Sequence, residues 1–139
     1  MQTFIPYEDF FLSLDCLDNK RLGKQRVEAF QIINILSGKQ KTNAWKNHPA
    51  VLMWKDNLDA LKCYYNYACE LWQLKGFNNI KLKYIPYDIY FDYPFWFGNK
   101  KLHSSHRSNL LRKNLQWYSQ FNWKEKDNLP YYWPVKKEG

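Results

Sequence analysis

The chain has 139 residues, enough for one domain with a real core and too short for two of ordinary size. Aromatic residues make up 19% of it, with 11 Tyr, 9 Phe and 7 Trp against 5 Gly and 6 Pro, a composition that excludes a disordered chain. Twenty-one Lys and Arg oppose thirteen Asp and Glu, so a net charge of +8 points to a polyanionic partner, most often nucleic acid.

The uncharged apolar runs fall short of the ~20 residues of a membrane span. The opening MQTFIPYEDFF has no basic region and carries Glu8 and Asp9, unlike a signal peptide. Cys16, Cys63 and Cys69 are an odd number with no CxxC spacing. Buried free thiols in a reducing, cytoplasmic setting are the expectation.

A first long helix is predicted from about Asp18, a suitable N-cap, to Leu36, with Ser37-Gly38 as the stop. Leu22, Ala29, Ile33 and Leu36 share its apolar face. Arg21, Gln25 and Glu28 share a polar one, with Lys24 beside them. Gly23, costing about 1 kcal/mol relative to Ala, marks a close approach of backbone, ligand or packed side chain.

A second helix is predicted from Pro49 to the Lys75-Gly76 stop. Val51, Trp54, Leu58, Leu61, Tyr65, Ala68 and Trp72 form its core stripe over roughly 40 Å. Residues 78–101 hold Pro86 and Pro94 and read as an extended segment whose aromatics plug the core, with room for a short strand. A third helix is predicted from Ser104 or Ser105 to about Gln120, with Leu111, Leu115 and Tyr118 inward. Pro130 and Pro134 bracket three aromatics in LPYYWPVKK, a segment expected to dock on the body with Trp133 substantially buried. The expected fold is an all-α single compact domain of three main helices with long, aromatic-rich connections.

His103 and His106 are three residues apart, but with His48 as the only other histidine no recognisable metal set is completed. There is no GxGxxG and no P-loop, so no cofactor is expected. Two basic constellations remain. One is Lys20, Arg21, Lys24, Gln25 and Arg26; the other is His103, His106, Arg107, Arg112 and Lys113 at a helix start whose serines and free N–H groups suit phosphate.

The segments LDNKRLGKQRVEAFQI, WKNHPAVLMWKDNLDAL, LHSSHRSNLLRK and LPYYWP together resemble the pyrimidine-dimer DNA glycosylase family of the phage endonuclease V type. The resemblance spans nearly the whole chain and implies an all-α, metal-free enzyme acting on duplex DNA as a monomer. It implies excision of a damaged pyrimidine through an imine between the chain's α-amine and C1′, then strand nicking by β-elimination. A glutamate in the first long helix assists, and arginines clamp phosphates.

Gln2 is large, and Met is generally kept before a large side chain, so the amine falls to Met1. α-Amines titrate at about 7.7–8.0, leaving a useful neutral fraction near neutral pH. Aligning on Arg26-Val27 sets Gly23 at the family's glutamate position, and the one glutamate the helix offers is Glu28. The resemblance thus nominates Met1 and Glu28 as catalytic. Arg21, Lys24, Gln25, Arg26, His48, His103, His106, Arg107, Arg112 and Lys113 are nominated as DNA-binding. Two alternatives stay open: a non-catalytic nucleic-acid-binding protein on the same fold, and an enzyme of different substrate using His103 and His106.

Overall fold

A computed structural model describes residues 1–39 and 44–135. The helices are α1 (Phe10–Asp15), α2 (Asn19–Leu36), α3 (Pro49–Leu52), α4 (Leu58–Leu74), α5 (Lys100–Lys113) and α6 (Leu115–Tyr118), followed by a 3-10 turn, Ser119–Phe121. No strand occurs among the described residues, and the fold is all-α. No helix among them is long and apolar enough to cross a membrane.

α2 begins where its cap position predicts, but Asp18 does not cap it through its side chain. The carboxylate instead accepts from the Tyr118 hydroxyl at 2.6 Å, from Arg21 at 3.0 Å and from Asn114 at 3.3 Å. Burial works to raise its pKa, and these three bonds outweigh burial and hold it below the usual value. α2 packs on α4 as the main helix pair. Gly23 makes the contact close, since a Cβ there would lie 3.0 Å from Trp72 Cη2. The glycine is a packing contact.

The predicted second helix is two helices. Trp54 is fully buried and donates its indole N–H to Thr3 Oγ1 at 3.0 Å, and the chain turns over residues 53–57 before α4 starts. Asp56 and Asn57 are poor helix formers, and Asn57 donates its side-chain amide to Asp92 O. The apolar spacing persists across the break because both pieces face one core.

The segment after α4 wraps the helices as expected, tied by Asn66, which donates to Ile85 O and accepts from Ile85 N. Its aromatics divide. Trp96 is buried and donates to Met53 O, whereas Tyr84, Tyr90, Tyr93 and Phe95 are exposed. α5 starts at Lys100, earlier than the serines suggest, because Asn99 Oδ1 caps it by accepting from Lys101 N and Leu102 N. Ser104 and Ser105 are mid-helix, so they build no phosphate site at a helix start. Asn114 ends α5, and Leu115 is exposed rather than inward, while Leu111 and Tyr118 are buried.

The C-terminal segment docks along α5. Ser108 accepts from Leu129 N, Asn109 donates to Leu129 O and Ser105 accepts from Tyr132 N. Trp133 is half-buried, less than expected, and Pro134 is buried. Lys136 and Lys137, the end of the expected docked segment, lie outside the described residues. All three cysteines are free and buried.

A candidate nucleic-acid cleft at the amino terminus

Residues 1–6 run as an extended arm through the helices, with Gln2 to Pro6 buried. Buried backbone groups need partners, and side chains supply them here. Gln25 Oε1 accepts from Phe4 N at 2.9 Å, and its Nε2 donates to Gln2 O at 3.1 Å. The Tyr64 hydroxyl sits 2.9 Å from Phe4 O and 2.7 Å from Gln25 Oε1. His106 Nδ1 accepts from Ile5 N at 2.8 Å, and His103 Nδ1 lies 2.7 Å from Ile5 O. His103 Nε2 accepts from Gly98 N, so Nδ1 carries the proton and donates. Arg107 donates to Pro6 O at 2.6 Å and pairs with Glu125 at 2.9 Å.

This arm delivers Met1 to a cleft of about 250 Å³ lined by Met1, Gln2, Phe4, Arg21, Lys24, Gln25, Glu28, Lys113, Tyr131 and Trp133. Glu28 Oε2 accepts from Gln2 N and from Gln25 Nε2, each at 3.3 Å. The carboxylate is therefore fixed one peptide bond from the α-amine. Arg21 is held by Asp18 while lining the cleft. Burial, then the charges of Arg21, Arg112 and Lys24, push the Lys113 pKa down. Such a cationic cluster favours an anion.

Six of the twelve nominated residues thus share the cleft: Met1, Glu28, Arg21, Lys24, Gln25 and Lys113. Gln25 is spent on internal bonds, so it positions the arm instead of meeting a phosphate. His48 caps α3 by accepting from Ala50 N and stands edge-on to Trp133, a lining residue, without lining the cleft itself. Burial and the nearby amino-terminal charge lower its pKa.

The other five lie elsewhere. Arg26 is stacked 4.6 Å over Trp72 and bonded to Asn79. His103 and His106 are buried by the arm they anchor, so neither reaches a DNA backbone or forms a surface catalytic pair. Arg107 is paired with Glu125. Arg112 is exposed and donates to Asp127 O at 3.2 Å. Among the described residues no group of three or more His, Cys, Asp or Glu side chains could hold a metal.

Reading the sequence left out Gln2, Phe4, Tyr131 and Trp133 as site residues. The prolines that bracket the last two are the available signal. They leave the aromatics either docked on the body or stacked on bases, and the structure puts Tyr131 and Trp133 in the cleft lining.

The chain matches the family model described as pyrimidine dimer DNA glycosylase over residues 1–84. Neither a curated protein nor a solved structure matches it. The match takes in the arm, α2 and α4, while Lys113, Tyr131 and Trp133 come from beyond it. With that match covering more than half of its length, the chain belongs to the pyrimidine dimer DNA glycosylase family.

Proposed function

We propose that this protein excises a damaged or modified base from duplex DNA and then nicks the strand as a lyase, with the α-amine of Met1 as nucleophile. The observation that carries this reading is the convergence of Met1, Glu28 and three cationic side chains on one cleft.

Arg21, Lys24 and Lys113 bind the phosphates that flank an extruded nucleotide. The neutral amine attacks C1′. The bond between C1′ and the base breaks, its electron pair leaves with the base, and a proton is delivered to that base. Ring opening then breaks the C1′–O4′ bond, whose electron pair stays on O4′, while the nitrogen lone pair forms the C1′ imine. Of the two protons the amine gives up, one ends on O4′ and the other matches the proton taken by the base. Removal of the C2′ proton then expels the 3′ phosphate, and water hydrolyses the imine to free the enzyme. Glu28, one peptide bond from the amine, is the group that moves protons at the sugar. Gln25 holds the arm so that amine and carboxylate stay together.

The test is borohydride reduction in the presence of duplexes with an abasic site or an ultraviolet photoproduct. A covalent protein–DNA adduct is expected on both. Salt-sensitive binding of those duplexes without an adduct would favour a non-catalytic DNA-binding protein.

A further inference from the structure

Gln2 is 9% exposed and lines the cleft, yet neither its Nε2 nor its Oε1 has a hydrogen-bond partner. The Tyr131 hydroxyl is near enough to feel the amide but does not meet it in hydrogen-bond geometry. Leaving both polar atoms of a buried carboxamide unpaired is unfavourable and calls for an explanation. The main chain around it is fixed, since Gln2 N donates to Glu28 and Gln2 O accepts from Gln25.

We propose that the Gln2 carboxamide reads the hydrogen-bonding edge of the nucleobase turned into this cleft. The proposal rests on the glycosylase reading above. A carboxamide presents a donor and an acceptor side by side. A phosphate offers acceptors alone and would leave Oε1 unpaired, and the cleft already has Arg21, Lys24 and Lys113 for it. A base edge presents adjacent donor and acceptor groups and satisfies both atoms. Position agrees: the Met1 amine must reach C1′, the atom that carries the base, and Gln2 is the next residue along the arm. Tyr131 and Trp133, both half-buried, give the same cleft aromatic faces for the ring.

The experiment compares two duplexes by fluorescence anisotropy. One carries a thymine opposite an abasic analogue, so that extrusion costs little. The other carries 2,4-difluorotoluene in place of that thymine, with its shape and no comparable hydrogen-bonding edge. The wild-type protein should prefer the thymine duplex by about tenfold, the scale of one buried hydrogen-bonding group left unpaired. Gln2→Leu should bring the ratio close to one. Gln2→Met serves the same purpose should the Leu variant fold poorly, and both large side chains keep Met1 in place.

Equal affinity of the wild-type protein for the two duplexes would overturn the role of Gln2, as would a preference that survives in the variants. In either case salt-sensitive binding of both duplexes would persist and the glycosylase reading would stand. Absence of binding to either duplex at low salt would remove DNA as the partner and this inference with it.

Discussion

Glu28 and Gln2, 26 residues apart in sequence, meet at 3.3 Å, where the carboxylate accepts the N–H of the chain's first peptide bond. The contact ties the carboxylate of α2 to the amino end of the arm. A carboxylate held there can move protons at the sugar but makes no contribution to phosphate binding. Glu28→Gln should therefore keep DNA affinity and slow single-turnover excision by about 10²–10⁴-fold, the usual worth of a general acid–base group. An equal loss of affinity and rate would assign Glu28 to binding.

Gln25 joins the arm to the core through Phe4, Gln2, Glu28 and Tyr64. Gln25→Leu strands those groups, and each buried partner left unpaired costs about 1–3 kcal/mol. Thermal unfolding should move down by several degrees, on the scale of ~4 °C or more per kcal/mol for a domain near this size. Excision should fall further than affinity, because the arm rather than the cationic wall is loosened.

The cationic residues separate by location. Lys24→Ala and Lys113→Ala should each flatten the plot of log affinity against log salt by about 0.9, one phosphate contact apiece. Arg26 faces Trp72 and Asn79 instead of the cleft. Arg26→Ala should leave the salt slope alone and lower the melting temperature through the lost cation–π contact.

Acid stability follows from the buried histidines. Burial is the main force that brings the His106 pKa from 6.5 down to about 3, with the neighbouring His103 adding to it. Between those values the unfolded chain binds a proton that the folded chain refuses, so stability rises with pH across that window and is lost as pH falls through it. His103, also shifted down chiefly by burial, acts in the same direction. His106→Asn retains an acceptor for Ile5 N and should give a flatter loss of stability between about pH 6 and 3, read by denaturant melts across that range.

Much of this fold was legible in the residues. α2 ends where Asp18 and Ser37-Gly38 mark it, and the three main helices are present. The break between α3 and α4 was hidden because apolar spacing reports which side faces the core, and both pieces face the same one. The start of α5 was misplaced because serines suit caps, yet inside a helix Ser105 returns its hydroxyl to Leu102 O. His103, His106 and Arg107 carry the residue types of a DNA surface, but their contacts to Ile5 and Pro6 make them anchors of the arm. That role depends on a segment about a hundred residues away, which local pattern does not report. Glu28 was nominated as the lone glutamate of its helix, while Gly23, at the aligned position, proves to face Trp72.

The central claim is that the α-amine of Met1 is the nucleophile. It is tested most directly by borohydride trapping on abasic duplex DNA before and after selective acetylation of the amino terminus. The account predicts an adduct that maps to Met1 in the untreated protein and disappears after acetylation, with duplex binding largely retained on Arg21, Lys24 and Lys113. An adduct that survives acetylation, or maps to a lysine side chain, would contradict it.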